Sequence, residues 1–230
     1  MRINYYLNAL PVPLSMSIWL QKIMDSKAAR ELCFTHKFCN MQTVALLQQF
    51  SDKRTAAMVQ KNMEYIQNGV VWADLNFKNI MHFYDPFKNK GLWKFSPAVV
   101  SFEFYLDKAE RFLKKRNMDK SFFYLGAAIH LLQDMSVPHH VSGNLFNGHK
   151  KFEEWVQLNL HQFVFFTDMK WRECKNPIQL FMDAAYFATN FILLVDNKAT
   201  IRDYFSTANI LLLETQKNTA SLLEWFVKKI

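Results

Sequence analysis

Turn-forming residues are scarce in this chain, which has only 5 glycines and 6 prolines in 230 residues. Sandwiches and barrels of short strands need turn chemistry roughly every 8–12 residues, and that density is missing. Helices need far fewer such signals. Half of the residues are hydrophobic and 21% are charged, which supplies a core and excludes disorder for the bulk of the chain. The length suits one large domain, and no internal repeat or Pro/Gly linker divides it. The expectation is an all-α, single compact multi-helix domain whose 22 phenylalanines supply core and cleft lining.

Hydrophobic periodicity agrees. Thr43 to Gln67 reads as one helix, with Gly69 placed where a C-cap glycine would sit. Phe102 to Arg116 puts Phe104, Leu106, Ala109, Phe112 and Leu113 on one broad face, with basic residues in the last turn. Asp119 is the expected N-cap of a helix running through Phe122, Leu125, Ile129 and Leu132, and Pro138 marks its exit. Phe152 to Phe165, Ile178 to Val195 and Ile201 to Lys228 read as three more helices. Residues 75–97, with Pro86, Gly91 and Pro97, read as a long loop.

The N-terminus reads as a secretion signal over residues 1–28: Arg2, an apolar stretch from Leu7 to Leu20, and Ser26-Lys27-Ala28 as the cleavage site. Cleavage there would leave residues 29–230 as the mature domain; an ordinary N-terminal helix or uncleaved anchor is the alternative. No later segment has the ~18 apolar residues of a membrane span. Phe181 to Val195 comes closest and is interrupted by Asp183 and Asn190. Cys33, Cys39 and Cys174 form an odd set without a CxxC pair, which excludes a disulfide framework and a zinc ribbon. The net charge of +8 favours anionic partners without choosing among them.

Of the seven histidines, three stand in close relation to carboxylates. His130 and Asp134 are four apart on a predicted helix and share a face. His140 follows beyond the Pro138 bend, and His149 and Glu153 repeat the i, i+4 spacing. An unpaired Asp134 on the inner face of so apolar a helix would cost several kcal/mol. Imidazole and carboxylate converging from adjacent helices can surround a divalent transition metal, which offsets that cost. A plain His–Asp hydrogen bond at a helix end is the simpler alternative.

The run Phe122-Phe123-Tyr124-Leu125-Gly126 through His130, Asp134, Pro138 and His140 resembles the bacterial zinc-dependent phospholipases C, the family of the Bacillus-type lecithinase and the clostridial alpha-toxin catalytic domain. Gly148-His149 to Glu153 is similar to the next family block. Upstream, Thr35-His36, Gly69 to Asp74 and His82-Phe83-Tyr84-Asp85-Pro86 fall in family order, and Thr215 to Ala220 with Trp225 resembles the last family helix. The resemblance implies an all-helical domain of the phospholipase C / P1 nuclease type, holding three zinc ions in a cleft. His82, His130 and Asp134 would hold one zinc with Asp74 beside it, and His140, His149 and Glu153 a second. His36, Asp134 and the mature N-terminal residue would hold the third; that residue is Ala29 if cleavage follows Ala28. Without the N-terminal site two ions remain. Asp74 would be the general base. His139 and His161 match no family role and read as cleft-side and surface residues.

The implied reaction is hydrolysis of glycerophospholipids to diacylglycerol and a phosphorylated head group. It would be carried out by a secreted bacterial monomer acting at a membrane surface, with no nucleic acid partner. Three departures stand out: no Trp at the expected mature N-terminus, Leu75 and Asn79 where the family's choline pocket has aromatics, and no C-terminal membrane-binding module. The rival is an S1/P1-type single-strand nuclease on the same tri-zinc scaffold, disfavoured by Gln133-Asp134 in place of Gly-Asp and by Glu153. A non-catalytic helical binding protein would not need so many positioned ligands.

Overall fold

A computed structural model describes residues 33–75, 78–93, 95–143, 146–163 and 170–230. The proposed signal segment and Ala29 lie outside the described residues. Within them every regular element is a helix and there is no strand; Asp85 and Lys90 form one isolated antiparallel bridge. The helices are α1 (Phe34–Phe50), α2 (Lys53–Lys61), α3 (Met63–Asp74), α4 (Ala98–Lys114), α5 (Met118–Asp134), α6 (Pro138–Ser142), α7 (His149–Asn159), α8 (Pro177–Thr189) and α9 (Ile201–Val227). Short 3₁₀ turns cover Lys78–Met81, Leu160–Gln162 and Ile192–Leu194.

Local chemistry sets these boundaries and corrects several expected ones. The single helix expected over Thr43 to Gln67 is three. Asp52 breaks it by turning its side chain onto the Thr55 amide, and Asn62 bonds back to the Met58 carbonyl. The cap of α5 is Asn117, which accepts from Lys120 N; Asp119 lies in the first turn, where a carboxylate complements the helix dipole. Helix α5 ends at Asp134, and Pro138 opens α6 instead of merely following α5, its fixed φ suiting a first helical position. The helices begun at residues 149 and 177 stop at Asn159 and Thr189, short of Phe165 and Val195, each giving way to a 3₁₀ turn or bends. Among the described residues of 75–97 the segment is a loop apart from the Lys78–Met81 3₁₀ turn. Thr200 and Asp203 form a reciprocal capping box that starts α9.

Helix α5 is the centre of the fold, packed against both α3 and α4. Gly69 is not a C-cap. It lies inside α3, where a Cβ would stand 1.9 Å from the Phe123 carbonyl oxygen. Gly126 of α5 answers it, since a Cβ there would stand 2.1 Å from the Ile66 carbonyl oxygen. Paired glycines thus let two backbones touch, and this contact brings Asp74 within reach of His130. The main core around it holds Phe102, Leu125, Phe181 and Phe226. A second apolar cluster joins Phe34 and Phe38 of α1 to Phe152 and Val156 of α7 and Tyr204 of α9.

Candidate metal centre

Six elements deliver the expected site residues to one cleft of about 560 Å³. His36 comes from the first turn of α1, Asp74 ends α3, and His82 follows the Lys78–Met81 turn. His130 and Asp134 lie in the last turns of α5, His140 in α6, and His149 and Glu153 in the first turns of α7. All eight line the cleft. Ala29 lies outside the described residues.

Asp134 is the hub, although it ends a helix whose dipole disfavours a carboxylate there. Its Oδ1 is 3.3 Å from His36 Nε2. Its Oδ2 is 2.9 Å from His82 Nδ1, 3.3 Å from His130 Nε2 and 3.6 Å from His140 Nδ1. Beside it, Glu153 Oε1 is 2.9 Å from His149 Nε2 and 3.4 Å from His140 Nε2.

The far nitrogens of three imidazoles are held by neutral acceptors, which fixes the tautomers. His36 Nδ1 donates to Gln133 Oε1 at 2.9 Å, His82 Nε2 to the Ala73 carbonyl at 3.1 Å, and His140 Nδ1 to the His82 carbonyl at 3.2 Å. The nitrogens left over, His36 Nε2 and His82 Nδ1, then offer lone pairs inward, and His140 Nε2 does so once its ring has lost its second proton. His82 Nδ1 and His130 Nε2 face each other at 3.2 Å.

These residues fit a metal. Asp134 Oδ2 and His130 Nδ1 are buried without a hydrogen bond of good geometry, although three ring nitrogens crowd that carboxylate oxygen. Orphaned lone pairs in so buried a place are costly unless a cation receives them. Three donor groups each have ligand atoms within 4.8 Å of one another: His36, His130 and Asp134; Asp74, His82 and His130; and His140, His149 and Glu153. Imidazole with carboxylate is the donor chemistry of zinc.

The model of the zinc-dependent phospholipase C family matches residues 35–211. The chain belongs to the zinc-dependent phospholipase C family. Among solved structures it is similar to an alpha-toxin of Clostridium perfringens from an avian strain, at 19% identity and a TM-score of 0.72 over 85% of this chain and 63% of that one. It is also similar to the alpha toxin of Clostridium absonum, at 18% identity and a TM-score of 0.75 over 84% of this chain and 63% of that one. Those likenesses show the all-helical fold, and this chain spans less than two thirds of either toxin. Comparison with curated proteins gives no match.

The electrostatics of the metal-free centre suit a zinc-dependent phospholipase C. Burial opposes charge on His130, but the Asp134 carboxylate outweighs it and raises the ring to about 10. Burial likewise opposes charge on His140, and Asp134 with Glu153 lift it to about 9. Burial and the neighbouring His130 push His36 down to about 4. The imidazoles beside Asp134 and Glu153 overcome burial and hold both carboxyls well below the usual range. Both carboxylates are therefore ionised across physiological pH.

Three neighbours of the site have surroundings that the sequence does not disclose. His139 is not at the cleft surface; it is buried behind His149, stacked at 5.0 Å, with Nε2 on the Asn147 carbonyl. Gln133 was a departure from a rival's pattern and is here the partner of His36. Cys33 stands beside Asp74, and burial pushes its thiol up. Its C-x-x-H spacing to His36 was the signal available for it. His161 is exposed, in a 3₁₀ turn. All three cysteines are free thiols.

Proposed function

We propose that this family member hydrolyses glycerophospholipids to diacylglycerol and a phosphorylated head group. The observation that carries the reading is the cleft's two-sided lining. Its floor is the Asp134-centred set of imidazoles and carboxylates, and Phe34, Phe152, Val156, Leu211 and Leu212 line it beside them. A phosphodiester joined to acyl chains matches that polarity. Trp93 lines the same cleft yet is 68% exposed, and Phe95 next to it is also exposed, which suits contact with a lipid surface. No helix among the described residues is long and apolar enough to cross a membrane, so contact would be peripheral.

Zinc, when bound, would supply a Lewis acid that acidifies water and neutralises phosphate charge. The holders would be the eight lining residues, with Ala29 added if it becomes the N-terminus, for three ions, or two without that site. Asp74 would orient the attacking water and take its proton. The water oxygen then bonds to phosphorus, the phosphorus–oxygen bond to glycerol breaks, and the alkoxide leaves as diacylglycerol after taking a proton from solvent. Secretion as a monomer, with residues 1–28 removed, completes the reading.

The test is release of diacylglycerol from vesicles of phosphatidylcholine, phosphatidylethanolamine or phosphatidylinositol, with single-stranded DNA in parallel, each with and without chelator. Chelator-sensitive diacylglycerol release is expected. Cleavage of DNA alone would replace this reading with the nuclease one.

A further inference from the structure

Helix α3 delivers Asp74 from an unfavourable position. Asp74 is its last residue, where the helix dipole repels a carboxylate and the last carbonyls lack a full set of partners within the helix. Side chains from farther along the chain supply them. His82 Nε2 donates to the Ala73 carbonyl at 3.1 Å. Lys78 Nζ donates to the Trp72 carbonyl at 3.2 Å and to the Leu75 carbonyl at 3.0 Å. One ammonium thus clasps the backbone on both sides of Asp74 and sets a positive charge at the negative end of the helix.

The ammonium is itself held. Lys78 is half-buried, and its Nζ lies over the Trp72 ring, 4.2 Å from the ring centre, in cation–π contact. That ring packs in turn against Tyr105 of α4 and against Phe123 and Tyr124 of α5, with centres 5.5 to 6.0 Å apart. The Gly69–Gly126 contact brings α3 to α5 a turn earlier. Beyond that contact the final turn would fray, as helix ends do, without a clasp of its own. Asn79 and Ile80 line the cleft and Lys78 does not, so the lysine has no direct route to substrate.

We infer that Lys78 is a positioning residue for Asp74: its ammonium keeps the last turn of α3 closed and so fixes the carboxylate that takes the proton of water. The inference rests on the reading of Asp74 given above.

Diacylglycerol release by the zinc-loaded full chain, from vesicles of mixed phosphatidylcholine, phosphatidylethanolamine and phosphatidylinositol, tests this. Lys78→Met keeps the apolar stem but removes the charge and the donors. Its kcat per folded, zinc-loaded molecule should fall about 10- to 100-fold through misplacement of the base, with KM unchanged. Lys78→Arg keeps the charge, the donors and a planar contact to Trp72, and should recover most of the loss. Added to Asp74→Asn, Lys78→Met should lower the residual turnover no further, because the two residues act as one unit. Undiminished kcat in Lys78→Met, a raised KM, a loss that Lys78→Arg does not restore, or an equal further loss in the Asp74→Asn background would overturn the inference and leave the phospholipase reading intact. Full activity in Asp74→Asn, or no diacylglycerol release by the unaltered chain, would overturn the reading beneath it as well.

Discussion

His36 and Gln133 are joined by a hydrogen bond whose direction is imposed from four residues away. Gln67 Nε2 donates to the Lys37 carbonyl, so Gln67 Oε1 is free to accept from Asn40 Nδ2 at 3.1 Å. Asn40 Oδ1 in turn accepts from Gln133 Nε2 at 2.8 Å, which turns Gln133 Oε1 toward His36. Every amide in the chain is therefore oriented, and His36 must carry its proton on Nδ1. Its Nε2 lone pair is left facing Asp134.

Gln133→Ala should therefore loosen the His36 end of the centre without touching any proposed ligand. His36 loses its acceptor, and Asn40 Oδ1 and Thr219 each lose a contact in a buried setting. The expected cost is about 1–3 kcal/mol of stability and about 10- to 100-fold in zinc affinity. Denaturant melts and zinc titration against a competing chelator check it. Unchanged affinity would show that the amide chain packs the helices without setting the tautomer.

Gly69→Ala tests the link between fold and site. The new methyl would stand 1.9 Å from the Phe123 carbonyl, which is backbone and cannot swing aside. Helices α3 and α5 must separate, at a cost of at least about 1–3 kcal/mol for overpacking. Asp74 would move with α3, so zinc content should fall along with the melting temperature. A variant that melts lower but binds zinc normally would mean that Asp74 is placed by something other than this crossing.

The fold class was legible because scarce Gly and Pro and helical periodicity both report on backbone alone. The candidate site was legible where imidazole and carboxylate lie on one helix face, as His130 with Asp134 and His149 with Glu153 do. The breaks at Asp52 and Asn62 were not legible, since their apolar period runs on and only side-chain bonds to the backbone interrupt it. Gly69 read as a cap because a glycine near the end of a pattern has the same signature as one at a helix crossing; the distinction lies in Phe123, 54 positions later. Gln133 and Cys33 escaped for a similar reason, their meaning depending on neighbours distant in sequence.

Asp74→Asn should separate chemistry from assembly. The substitution keeps the shape and one donor oxygen but removes the negative charge that would take the proton of water. Turnover on phospholipid vesicles is expected to fall about 10²- to 10⁴-fold, with zinc retained at the His140, His149 and Glu153 group. Diacylglycerol release and zinc content measured on one preparation decide the matter. Full activity in Asp74→Asn would remove the residue from the proton-transfer role.

The metal-free chain should be most stable near pH 6.5, and zinc should erase the alkaline side of that optimum. In the folded chain His130 and His140 rise from an ordinary 6.5 to about 10 and about 9, outweighing burial through Asp134 and Glu153. A raised pKa stabilises the fold fully below pH 6.5 and loses that contribution as pH climbs through about 9 to 10. His36 and His139 work in the opposite sense. Burial lowers each to about 4, so their protonation destabilises the fold as pH falls from 6.5. The depressed Asp134 adds a further loss in stronger acid. Stability of the chelated protein in urea should therefore peak between these limbs. Zinc requires neutral imidazoles, so loading at pH 7 must expel the protons of His130 and His140. Calorimetric titration in two buffers of different ionisation enthalpy should show proton release that shrinks as pH approaches 10. Zinc uptake without proton release at pH 7 would mean that these two rings are already neutral in the metal-free chain.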